Sequence, residues 1–145
     1  MTPEHLQKLW DAGRLAALAG PAASDQQALA TAIGPDGLGP LQEHWGPGVV
    51  LGSGGSTGGR RWCLQPLAHL QASAAASGRW LERLGLDPAS CLHLNPLPLH
   101  HVSGLLPWVR AKQWGAGHQR LDQAWMRYPA LLAAAAPLDP HRPAL

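Results

Sequence analysis

Apolar residues recur at helical spacing near the start of the chain and again after residue 23. Thr2 before Pro3 is typical of an N-cap followed by the first helical position, and the apolar spacing beyond it predicts a helix that ends at Gly20-Pro21. A second short helix is predicted over residues 24–33. Residues 34–48 are rich in glycine and proline, so we expect a connector there rather than a regular element.

Two short apolar runs flank a glycine-rich segment in the middle of the chain. Val49-Val50 predicts a buried strand and residues 61–64 predict a second strand, which places the glycines between them in a hairpin-like connection. Pro66 opens the longest predicted helix, which has leucines along one face and Gly85 at its end.

The second half of the chain alternates strands and helices. In order, the predicted elements are a strand over 91–95, a turn over 96–101, a helix over 103–114, a strand over 118–121 and a modest helix from 122. This order predicts the α/β class, with a mixed or parallel sheet flanked by helices. We expect a helical lead-in and connector over 1–47, followed by an α/β domain, itself partial, over 48–145.

Composition narrows the classes of partner. The formal net charge is only +2 and 14% of the residues are charged, so no basic field for nucleic acid is expected. No stretch approaches the ~18 uninterrupted apolar residues of a membrane span, and the first residues lack the pattern of a signal peptide. The two cysteines do not form a disulfide framework, and we therefore expect a cytoplasmic protein.

Cysteine and histidine occur together at positions 63, 69, 91 and 93, but without the spacing of a zinc site. We expect buried thiols and hydrogen-bonded histidines there, and no metal ligands.

The candidate chemistry lies in the segment from Leu51 to Arg61, which reads L-G-S-G-G-S-T-G-G-R-R. Glycines let backbone N–H groups turn inward, hydroxyl side chains add donors, and arginine adds a permanent charge. This combination predicts a site for an anion, and nucleotide phosphates in particular.

Three known motifs compete for this segment. The Walker motif needs a lysine followed by Ser or Thr, and the dinucleotide fingerprint needs a third glycine where Thr57 stands, so neither fits. The G-x-S-x-G elbow of serine hydrolases fits with Ser56 as nucleophile, but that motif requires a helix directly after the serine. A serine hydrolase is therefore kept as an alternative.

A second motif downstream makes the segment more specific. Residues 53–61 resemble the phosphate-binding signature T-S-G-S-T-G-x-P-K of the adenylate-forming acyl-CoA synthetases, or AMP-binding enzymes, and residues 96–104, P-L-P-L-H-H-V-S-G, resemble that family's P-L-F-H-V-S-G segment. Arg110 to Ala116 resembles the family's R-x-L-x-x-G-A helix end. The H-V-S-G variant is most like the o-succinylbenzoate–CoA ligase branch, which acts in menaquinone and phylloquinone biosynthesis.

The resemblance implies a two-step reaction and a set of site residues. A small-molecule carboxylic acid is joined to AMP from ATP and is then transferred to CoA, with Mg²⁺ as the metal ion. The implied phosphate-binding residues are Ser53, Gly54, Gly55, Ser56, Thr57, Gly58 and Arg61. His101 and Arg61 take the catalytic roles, and His101, Ser103 and Gly104 contact the acid, with room for a flat aromatic acid beside Gly104.

The sequence also departs from the family pattern. Arg60 stands in place of the proline and Arg61 in place of the lysine, and the Y-G-x-T-E and T-G-D segments for adenine and ribose are not found in these residues. The resemblance therefore implies an N-terminal portion of such an enzyme, which we expect to complete no reaction alone. A non-catalytic remnant is the other alternative.

Overall fold

The computed structural model describes residues 1–53, 61–128, 130–131, 134 and 143–145. Contacts divide the chain into two compact units, one of residues 1–70 with 99–102 and the other of residues 71–98 with 103–145. The predicted boundary between 47 and 48 falls inside the first unit. Each unit contributes its own strands to its own sheet.

The described elements follow one another in mixed order. The helices are α1 (Pro3–Asp11), α2 (Ala23–Ile33), α3 (Gly39–Trp45), α4 (Leu67–Arg83) and α5 (Val102–Trp114). The strands are β1 (Leu15–Leu18), β2 (Gly48–Gly52), β3 (Trp62–Pro66), β4 (Leu92–Asn95) and β5 (Gly117–Arg120). Short 3₁₀ turns span Pro88–Ser90 and Gln123–Arg127.

The first unit is built around a sheet in the order β1-β2-β3. β1 pairs parallel with β2, and β2 pairs antiparallel with β3 in the predicted hairpin. Leu15, Leu29 and Val50 form a buried cluster that joins the sheet to α2. The Trp10 indole donates a hydrogen bond of 2.9 Å to the carbonyl of Gly48, which ties α1 to β2.

Two predictions for the N-terminal region are wrong. The first helix begins as predicted, with the Thr2 hydroxyl accepting from the amide of His5, but it ends at Asp11 rather than at residue 20. Gly13 has a φ of 71°, which turns the chain, and residues 15–18 form β1 because they pair with β2. Because of β1 the lead-in is not purely helical, and the predicted connector over 34–48 contains the helix α3.

The second unit contains β4 and β5 as a parallel pair, with His93 beside His118 in the register. Residues 143–145 run along the other edge of β4, where the Leu92 amide donates to the Pro143 carbonyl at 2.8 Å and the Leu145 amide to the Leu92 carbonyl at 2.9 Å. α5 contributes the largest group of buried side chains on one helix here, including Leu105, Trp108 and Val109.

The α/β class is confirmed at this coarse level, whereas the described strands form two small sheets rather than one layer. The predicted helices after residues 66 and 102 and the predicted strands at 91–95 and 118–121 are confirmed within one or two residues. The modest helix after Asp122 is a 3₁₀ turn. Among the described residues, no helix has the length and apolar character to cross a lipid bilayer.

Candidate functional site

The predicted phosphate loop is carried by the β2–β3 hairpin. The register pairs Gly52 with Trp62, and one step further the Ser53 amide donates to the Arg61 carbonyl at 2.7 Å. Ser53 and Arg61 thus face each other at the base of the loop, with Ser53 half-buried and Arg61 exposed. Residues 54–60, which include the predicted ligands Gly54, Gly55, Ser56, Thr57 and Gly58, lie outside the described residues, and those assignments stay predictions.

Close packing of the main chain holds the two strands below this loop. A Cβ at Gly48 would clash with the backbone of Gln65 and would lie 2.9 Å from the Cα of Pro66. Only glycine therefore permits this close approach of β3 to β2. The Leu67 amide also donates to the Pro47 carbonyl at 2.8 Å, where β3 passes directly into α4. Both ends of the glycine segment are therefore fixed by a paired, partly buried hairpin.

The described segment after the loop differs from the serine-hydrolase arrangement. A nucleophile elbow is a strand, a sharp turn at the serine and an immediate helix. In the described part of the chain beyond Ser56, residues 62–66 form β3 and the first helix begins at Leu67. From Trp62 onward the chain pairs with β2 along the sheet.

The second motif forms a turn and the first part of α5. His101 is half-buried in the turn, and its ring lies 4.4 Å from the ring of His100 at an interplanar angle of 45°. Ser103 is exposed in the first turn of the helix, whereas Gly104 is buried. The predicted acid-contacting residues are thus close in sequence and differ sharply in exposure.

The structure explains why residue 104 is a glycine, which the sequence alone does not. A Cβ at this position would meet the carbonyl oxygen of Leu97 at 2.6 Å, its carbonyl carbon at 2.8 Å and the carbonyl oxygen of Pro98. The space that was expected to receive a flat aromatic acid is therefore occupied on this side by main chain. Glycine is required here for close packing of the turn on α5.

Asn95 organises this turn, and sequence inspection did not single it out. Its Nδ2 donates to the Gly104 carbonyl at 2.7 Å, its Oδ1 accepts from the Leu97 amide at 3.1 Å, and Nε2 of His118 lies 3.1 Å from Nδ2. Only 2% of Asn95 is exposed. A buried asparagine directly before a proline at a strand end was the available signal.

The described residues contain no group of three or more histidines, cysteines or carboxylates placed to hold a metal ion. Both cysteines are free thiols, with Cys91 buried and Cys63 half-buried. At His93 the buried Nε2 has no hydrogen-bond partner among the described residues, so the expected hydrogen bond is not found at that atom. Burial, followed by the nearby His118 and Arg110, lowers the pKa of His93 from 6.5 to about 4.

Comparisons with protein families and with curated proteins found no match. No protein-family model matches the chain, and no curated protein matches its sequence. The assignment of a phosphate site depends on the motif residues and on the hairpin that carries them.

Proposed function

We propose that this chain is the N-terminal portion of an ATP-dependent acid–CoA ligase of the o-succinylbenzoate–CoA ligase type, with the β2–β3 loop as its phosphate-binding element. The observation that carries the proposal is the hydrogen bond between Ser53 and Arg61 at the base of the loop. It brings the two ends of a glycine- and hydroxyl-rich segment together at the end of a partly buried strand pair, and successive backbone amides in a segment of this composition can bind an anion.

In the proposed adenylation step, an oxygen of the carboxylate substrate attacks the α-phosphorus of ATP and forms the acyl-adenylate. The bond from the α-phosphorus to the bridging oxygen breaks, and pyrophosphate leaves with that electron pair. The amides of residues 54–58 and the hydroxyls of Ser53, Ser56 and Thr57 stabilise the charge that grows on the leaving pyrophosphate, and Arg61 adds a fixed positive charge. The Ser53 amide takes no part, because it donates to the Arg61 carbonyl. His101 packs against the intermediate and donates a hydrogen bond to it.

Thioester formation belongs to the complete enzyme, since the CoA thiolate must displace AMP within a site that includes further segments. Mg²⁺ would share the phosphate charge, but among the described residues no three carboxylates, histidines or cysteines lie together to hold it. We therefore assign no step of this chain's chemistry to a metal ligand. ATP, CoA and the carboxylic acid are the proposed small-molecule partners.

The proposal is tested by titrating the chain with tripolyphosphate, the charged portion of ATP, and following binding by calorimetry. We expect weak but saturable binding, and Arg61→Ala should reduce affinity at least about tenfold, because a hydrogen bond to a charged group contributes roughly 1.5–3 kcal/mol. Arg61→Lys, which restores the residue of the family signature, should retain most of the affinity.

Arg14→Ala is the matched control, since Arg14 is an exposed arginine elsewhere in the first unit. It should leave the affinity unchanged at the same ionic strength. An equal loss with Arg14→Ala, or binding that does not saturate, would refute a specific phosphate site at the hairpin.

A further inference from the structure

A cavity of about 600 Å³ lies in the second unit, bounded by α4, β4, α5 and Leu145. This volume is within the range of pockets that hold small ligands. Each of the two helices contributes one face to the walls. On α4 these residues are Ser73, Ser77 and Trp80, and on α5 they are Pro107, Arg110 and Trp114; in both sets the spacing of three or four residues places them on the same side of the helix. Regular secondary structure therefore supplies most of the walls.

Two buried polar atoms of residues that line this cavity have no hydrogen-bond partner within the described part of the chain. They are Nε2 of His93, a residue only 3% exposed, and Nε of Arg110. Leaving such atoms without a partner typically costs 1–3 kcal/mol each, and more for a charged group. Two such atoms in the residues of one cavity indicate a ligand that would satisfy them.

The charges around the cavity favour an anionic ligand. His93 is neutral near pH 7, because burial, His118 and Arg110 all lower its pKa. Arg110 therefore carries the charge among the described side chains that line the cavity, and none of those side chains is acidic. A guanidinium with an unsatisfied donor in a mostly apolar cavity favours a compact anion.

The aromatic side chains of the cavity favour a flat ligand. Trp80 on α4 and Trp114 on α5 both line the cavity, and the Trp114 ring lies 5.2 Å from the His93 ring at an interplanar angle of 43°. The Trp114 indole N–H already donates to the Ala74 carbonyl at 2.9 Å, so this ring is held in place and offers its apolar surface. Flat rings pack well on such surfaces.

We propose that this cavity binds a flat aromatic monoanion, with its anionic group on Arg110, its ring against Trp80 and Trp114, and a polar substituent hydrogen-bonded to Nε2 of His93. The site lies in the second unit, whereas the proposed phosphate loop lies in the first. It is also formed by other residues than the predicted acid-contacting set at 101–104. The proposal does not depend on the proposed ligase function.

The test compares two probes of the same shape, 2-naphthoate and the neutral 2-naphthamide, by calorimetry on the full chain. We expect naphthoate to bind at least tenfold more tightly than naphthamide, and Arg110→Gln to abolish that difference. Arg79→Gln is the matched control, because Arg79 is an exposed arginine on α4 that does not line this cavity. It should leave both affinities unchanged.

A measurement on the wild-type chain covers the case in which Arg110→Gln fails to fold. In ¹⁵N NMR spectra, naphthoate should shift the His93 ring nitrogens and the Trp114 indole resonance, and naphthamide at the same concentration should shift them far less. Equal binding of the two probes, equal loss with Arg79→Gln, or naphthoate shifts confined to other tryptophans would each overturn the proposal.

Discussion

Asn95 shows how one buried amide can set the path of a turn. It bonds the Leu97 amide on one side and the Gly104 carbonyl on the other, so that the chain leaving β4 is tied to the helix that follows the turn. His101 stands in the segment between these two anchor points. Asn95 thus bonds main-chain groups on either side of that segment in the sequence.

Replacement of Asn95 by alanine should destabilise the chain by about 2–4 kcal/mol, because two buried backbone groups lose their partners at once. Urea denaturation followed by tryptophan fluorescence measures this change. Gln113→Ala, at an exposed position of α5, is the control and should change the free energy of unfolding by less than about 0.5 kcal/mol. A similar small effect for both variants would contradict the anchoring role.

His93 should make the stability of the chain depend on pH. Its pKa is about 4 when folded and about 6.5 when exposed, so the unfolded chain binds more protons between these values. Stability should therefore fall as pH decreases from 6.5 to about 4, with no further loss from this group below that. His118, whose pKa is also lowered by burial and by Arg120, contributes in the same direction.

The measurement is a series of urea denaturations between pH 4 and 7. His93→Gln should flatten the slope of stability against pH, whereas the same change at the exposed His5 should leave the slope as in the wild type. A slope that is equally steep in His93→Gln would show that the buried imidazole is not its source.

At the scale of elements, two glycines are needed because backbone approaches backbone. Gly104 lets the turn at 97–98 lie against α5, and Gly48 lets β3 lie against β2. Neither residue has a positive φ, so their role is space and not backbone conformation. The predicted hairpin and the predicted turn both depend on these contacts.

Gly104→Ala should therefore cost about 1–3 kcal/mol, since the added methyl group meets carbonyl groups of the main chain that cannot move independently. Gln113→Ala, at an exposed position later in α5, is the control. Thermal unfolding should show a lower midpoint for the first variant only. An unchanged midpoint for Gly104→Ala would mean that the turn can relax away from α5.

The sequence-based assignment of secondary structure was wrong where pairing between strands outweighed the local spacing of apolar residues. Residues 15–18 continue an apolar spacing that fits a helix, yet they form β1 because β2 offers a parallel partner across 33 residues of sequence, from Leu15 to Gly48. The helix α3 was hidden by its glycine and proline content, although Pro40 in its first turn is compatible with a helix start. The strong local signal of Thr2 as an N-cap was confirmed.

At the scale of the whole molecule, the two proposed sites belong to different units of one chain. Hydrogen exchange can therefore separate them. Tripolyphosphate should slow exchange at the amides of β2 and β3, and 2-naphthoate should slow exchange in β4 and α5, with little effect of either probe on the other unit. Protection of the same amides by both probes would show that at least one of them binds elsewhere than proposed.

The sequence alone determined the hairpin around the glycine segment, the helices that begin near residues 67 and 102, and the α/β class, because caps, breakers and apolar runs act over a few residues. The assignment of ATP phosphates to that segment came from motif residues and stays a prediction. Only the tertiary structure decided that the described strands form two sheets, that Asn95 anchors the histidine turn, and that His93, Arg110 and two tryptophans border one cavity. These features depend on contacts between residues far apart in the chain, whose free energy no local pattern encodes.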